Sequence, residues 1–94
     1  MSKKEDEFYK KLKINLEEST RFPTDYMYKF IIPNNIKKEL QISEIFNFQG
    51  ASLKTNASKT GKYLSVTILA KMKSADDVIT KYKEAAKVEG IISL

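Results

Sequence analysis

The stretch that most constrains this chain runs from Ser58 to Met72: a small-polar turn carrying Gly61, then an alternation of apolar and polar residues. Leu64, Val66, Ile68, Ala70 and Met72 share one side, while Tyr63, Ser65, Thr67 and Lys71 take most of the other. A period of two over this length predicts a half-buried antiparallel strand, because successive side chains of an extended chain point to opposite faces. Such a strand needs further strands beside it and an apolar layer over its dry face. At 94 residues the chain has material for one domain with a single core.

The flanking segments supply the other parts. Phe8, Leu12 and Leu16 recur at spacing four with Tyr9 beside them, which predicts a thinly apolar helix over residues 3–19, with Ile14 off the stripe. Pro23 ends it, lacking an amide hydrogen. Tyr26 to Ile32, rich in aromatic and β-branched residues, reads as a strand. Lys29 in its middle sets the faces, since a lysine is far cheaper in water: Tyr26, Tyr28, Phe30 and Ile32 inward, Met27, Lys29 and Ile31 outward.

Pro33-Asn34-Asn35 is a turn and cap before a helix from Ile36 to about Phe48, which Gly50 closes. Ile42, Ile45 and Phe46 cluster on one side of that helix, and Ile36 and Leu40 lie on another. Ala51 to Asn56 is expected as an edge strand, with Lys54 discouraging edge-to-edge association, joined to the opening strand as a hairpin. Ser74 with Asp77 three residues on is a capping signal for a helix whose apolar face holds Ala75, Val78, Ile79, Tyr82, Ala85 and Ala86. Asp77 and Lys81 on its other face have the spacing of an ion pair. The final strand, Val88 to Leu94, is expected to turn Val88, Ile92 and Leu94 inward and Glu89, Ile91 and Ser93 outward.

After the first helix the order is βαββαβ. This predicts an α+β, ferredoxin-like fold: a four-stranded antiparallel sheet with its first and third strands central, two helices on one face and the other face open. Residues 1–21 are then an N-terminal helical extension and residues 22–94 the ferredoxin-like domain.

Composition bounds the function. The chain has no cysteine and no histidine, which removes disulfides, thiolate chemistry and every Ser/His or Cys/His arrangement, so a non-enzymatic role with no metal and no cofactor is expected. Apolar runs fall far short of a membrane span, and no apolar leader follows the charged N-terminus, so a cytoplasmic protein is expected. The net charge is +5, but Arg21 is the sole arginine among 17 basic residues, whereas nucleic-acid sites lean on arginine.

Phe22-Pro23-Thr24 before Tyr28-Lys29, then Ser58-Lys59, Gly61, Tyr63, Ser65-Val66 and Ile68, then the capped helix holding Val78 and Tyr82 resemble the YbeD-like family of small uncharacterised bacterial proteins. The likeness covers about residues 22–94. It implies a ferredoxin-like fold similar to the ACT regulatory domains of amino-acid enzymes, and no established activity.

Candidate sites follow from the expected faces. The open face should present Met27, Lys29, Ile31, Lys54, Tyr63, Ser65, Thr67, Leu69 and Ile91, with Met27, Ile31, Leu69 and Ile91 expected to form one contiguous apolar patch, so that a protein partner or a second copy docks across this face or along the edge strands. Lys59, Gly61 and Lys62 in the hairpin turn are the candidate anion contacts, although the turn lacks P-loop spacing and precedes a strand. An ACT-like small-molecule effector would sit where the first strand meets its helix, at Asn34 and Asn35, but the glycine that admits such a ligand is missing. RNA binding is disfavoured, because Lys62 and Leu64 stand where a stacking platform needs aromatics.

Overall fold

The computed structural model describes residues 3–94, so the first two residues of the expected 1–21 extension lie outside it. Its elements are α1 (Lys3–Ser19), β1 (Thr24–Pro33), α2 (Ile36–Ile45), β2 (Ala51–Ala57), β3 (Tyr63–Met72), α3 (Ala75–Ala85) and β4 (Ile92–Ser93). The strands form one sheet in the order β2-β3-β1-β4, every neighbour antiparallel. This is the ferredoxin-like α+β arrangement, with β1 and β3 in the centre. They pair along their whole length, from Thr24 opposite Met72 to Pro33 opposite Tyr63.

The alternation seen in the sequence is the burial pattern of the sheet. Tyr28, Phe30 and Ile32 of β1 and Leu64, Val66, Ile68, Ala70 and Met72 of β3 are buried on the helix side. Leu16 of α1, Ile42 of α2 and Val78 of α3 close over them in the same core cluster. Rings organise its centre: Tyr28 lies 4.9 Å from Phe46 and 4.8 Å from Tyr82, centroid to centroid. The buried Tyr28 hydroxyl donates to the Val78 carbonyl at 3.0 Å, which satisfies the one polar atom this ring carries inward.

Both core helices are capped by their sequence signals. The Asn35 side chain accepts from the backbone amides of Lys37 and Lys38 at the start of α2, and Ser74 Oγ accepts from the Asp77 amide at the start of α3. α3 is the helix on which both others pack. On one flank Lys13 of α1 pairs with Asp76 at 3.1 Å; on the other Lys81 Nζ donates to the Ile45 carbonyl at the end of α2, at 3.0 Å.

Four expectations differ in detail. The expected Asp77–Lys81 pair is replaced, because Lys81 turns to the unsatisfied Ile45 carbonyl and to Glu84 at 3.2 Å. α2 stops at Ile45 rather than Phe48, and Phe46 caps it while remaining buried. Along α1 only Leu12 and Leu16 reach the core, while Phe8 is 62% exposed and Tyr9 lies half-buried beneath Lys83.

The last difference is in β4, which spans only two residues. Val88 is buried, but in the turn that follows α3, where its amide donates to the Ala85 carbonyl. Gly90 then adopts φ +81°, which breaks the alternation counted through it. Ile91 therefore packs against the core, Ile92 comes out opposite Ile31, and Ser93 pairs with Phe30 on the helix side.

Burial is the largest cause raising the phenol pKa of both Tyr28 and Tyr82, and at Tyr82 the hydrogen bond with Tyr26 adds to it. A raised phenol pKa ties the neutral ring to the folded state. Its contribution is complete below the unfolded value of about 10 and is lost as pH rises past it. Urea midpoints should hold steady to about pH 9 and fall above about pH 10, and Tyr28→Phe should make that fall shallower. An unchanged alkaline slope in Tyr28→Phe would clear this phenol of responsibility.

Candidate functional site

The sheet leaves one face without a helix, and the ladder register arranges its side chains in rows across the strands. Ser52, Leu69 and Met27 form one row, Lys54, Thr67 and Lys29 the next, and Asn56, Ser65, Ile31 and Ile92 the one after. Tyr63 opposite Pro33 closes the hairpin end, and Asp25 opposite Lys71 the other. The structure therefore brings together Met27, Lys29, Ile31, Tyr63, Ser65, Thr67 and Leu69 as expected, with Lys54 beside them. It does not bring Ile91, which faces the core; Ile92 takes that place. Reading Gly90 in the sequence as the turn residue after α3, with the strand's parity restarted after it, is the signal that finds Ile92.

The apolar residues form two islands, not one patch. Met27 and Leu69, 53% and 41% exposed, face each other directly, and Ile31 faces the 54% exposed Ile92. The lysine row separates the islands. Among the described residues, neither the Lys29 nor the Lys54 ammonium group has a hydrogen-bond or ion-pair partner. A shallow hollow of about 130 Å³ opens beside the second island, lined by Ile31, Asn56, Ala57, Ser58, Tyr63 and Ser65.

The two candidate loops meet at the hairpin end of the sheet and satisfy each other. The Asn34 amide donates to the Lys62 carbonyl at 2.9 Å, and Asn34 Nδ2 donates to the Gly61 carbonyl at 2.8 Å. Gly61, at φ +74°, donates its own amide to the Ser58 carbonyl, and Ser58 Oγ accepts from the Tyr63 amide. With Asn35 spent on capping α2, these groups are committed to holding turn against turn. Lys59 and Lys62 remain exposed at the rim of the open face.

One feature had no clear signal in the sequence. A hollow of about 550 Å³ lies between α3 and the α2–β2 loop, lined by Phe48, Gln49, Lys71, Met72, Lys73, Asp77, Thr80 and Lys81. Lys71, Lys73 and Lys81, from the end of β3 and from α3, meet Phe48 and Gln49 from more than twenty residues earlier in the chain there, which only the tertiary fold could reveal. Lys81 is largely spent: it holds Ile45 and Glu84 and lies 5.3 Å above the Phe48 ring. Among the described residues no group of three His, Cys, Asp or Glu side chains is arranged to hold a metal ion, and no helix is long and apolar enough to cross a membrane.

The family model described as "Protein of unknown function (DUF493)" matches residues 17–94. The chain belongs to this family, the YbeD-like proteins. The match takes in the end of α1 and everything after it, so all three rows of the open face and both facing loops lie within the family's domain. No curated protein and no solved structure matches the chain.

Replacing Asn34 removes the side-chain tie between the two loops. Asn34→Ala should cost about 1 kcal/mol and raise amide exchange in the 58–63 turn while leaving the core of β1 and β3 protected. Exchange that rises uniformly through the sheet would contradict this local role.

Proposed function

We propose that this chain is a non-enzymatic binding protein whose open sheet face docks a protein partner. The observation that carries the reading is the pairing of exposed apolar residues across β1 and β3, Met27 with Leu69, beside two lysines that have no partner of their own. Apolar side chains set directly opposite each other in a sheet make a continuous surface worth covering, whereas apolar residues scattered singly do not. Unpaired ammonium groups between two such islands add direction and charge selectivity to a docking surface. The lack of histidine and cysteine supports binding over catalysis.

A second reading, an ACT-like sensor of a small metabolite, draws support from the hollow beside α3, whose size suits a small ligand and whose free lysines, Lys71 and Lys73, suit an anion. The loop at Asn34 and Asn35 does not favour it, because both side chains already serve the fold. In this reading, Lys73→Glu would abolish a thermal shift produced by a small dicarboxylate or phosphate ester; a chain whose Tm none of these ligands moves argues against it.

Cross-linking capture from the native cell separates the readings. Wild type should retain proteins that Met27→Asp/Leu69→Asp loses, with both chains showing the same far-UV circular dichroism and Tm. Identical captured sets would sink the docking face.

A further inference from the structure

Three properties of the open face narrow what can dock on it. The first is backbone chemistry. The N–H and C=O groups of a strand point within the plane of its sheet, and those of β3 are engaged by β1 on one side and β2 on the other, so a partner lying flat on this face receives no main-chain hydrogen bonds from it. An extended peptide would bury its own polar backbone unpaired. A helix brings its backbone already satisfied.

The second is charge. Lys29 and Lys54 flank Thr67 in one row with no partner, Lys71 stands at one end, and among the described residues the single acid on the face is Asp25, opposite Lys71. A second copy laid face to face would set lysine rows against each other, a like-charge contact that disfavours self-association here. An acidic surface is complementary. Single-stranded RNA is also acidic, but it needs stacking platforms, and the face offers Tyr63 alone, at its margin opposite Pro33.

The third is spacing. Met27 and Ile31 are four residues apart on β1, which puts the two apolar islands about 13 Å apart with the lysine row midway. That separation is a little over two turns of helix at about 1.5 Å per residue. The hollow beside Ile31 and Tyr63 is the size of one apolar side chain.

We propose that the open face binds one amphipathic helix of a protein partner, lying along β1 and β3, with apolar anchors at i and i+7 or i+8 and aspartate or glutamate at i+3 and i+4. This rests on the protein-docking reading above. One anchor covers Met27 and Leu69, the other enters the hollow between Ile31 and Tyr63, and the carboxylates between them meet Lys29 and Lys54.

The test is selection, from a surface-displayed library of single helices about five turns long and randomised at i, i+3, i+4, i+7 and i+8, of binders to the purified full chain. Enrichment of Leu, Ile, Met or Phe at the outer positions and Asp or Glu at the inner ones is expected. The selected helix should then lose about tenfold or more in affinity to Lys29→Glu/Lys54→Glu and to Met27→Asp/Leu69→Asp, each of wild-type Tm. Binders sensitive to the apolar pair but indifferent to the lysine pair, or carrying no acidic preference, would overturn the acidic helix and leave the docking face standing. Binders indifferent to both pairs would overturn both. A library that yields no enrichment, or an RNA oligonucleotide that binds this face more tightly than any selected helix, would also overturn the proposal.

Discussion

The structure depends on the ten-residue antiparallel pairing of β1 with β3. Tyr28 opposite Ile68 and Phe30 opposite Val66 place rings and branched chains on one side, and Met27 opposite Leu69 and Lys29 opposite Thr67 place the adaptable and charged residues on the other. A slip of one residue would exchange the faces and bury Lys29. What holds the register is therefore the core itself. Tyr28 is fixed from three directions by Phe46, Tyr82 and the hydrogen bond to Val78, so the strand cannot slide without breaking contacts to two helices.

The helix layer follows from that choice of face. α3 lies between the other two helices, and each flank is tied by a lysine: Lys13 reaching in from α1 to Asp76, Lys81 reaching out to the end of α2. The exposed Lys13–Asp76 pair contributes little to stability by itself, but it sits at the first turn of α3, where a carboxylate already favours the helix. Its hydrogen bond with Asp76 raises the Lys13 pKa. With three helices crowded on one face, the other is left to two apolar islands and a lysine row. The fold thus separates the side that stabilises from the side left open to solvent.

Much of this was legible in the sequence because period-two patterning survives wherever a strand is long. The ten-residue strands β1 and β3 showed their faces residue by residue, and Ser74 and Asn35 announced their helices. The parts that were not legible share a cause. Gly90 resets the alternation, so a short strand counted through it carries the wrong face, and Ile91 and Ile92 exchange places. Lys81 had a partner one turn away in sequence and chose a carbonyl on another helix, a competition that only tertiary distance decides. The contact of Asn34 with Gly61 crosses two loops that each look self-sufficient. The site was half visible for the same reason: its strand residues were named in advance, its division into two islands by a lysine row was not, since that depends on register between strands.

The central claim, that the odd-numbered side of β1 and β3 is the recognition surface, has a direct measurement because the chain contains no cysteine. Single cysteines placed in turn at Met27, Tyr28, Lys29, Ser65, Val66, Thr67, Ile68 and Leu69 report accessibility through their maleimide labelling rates, in purified protein and in the native cell. In purified protein the odd-numbered positions should label fast and the even-numbered ones slowly. In the cell the odd positions should become protected while an exposed control at Lys87 does not. Odd positions that label equally fast in both settings would contradict the account.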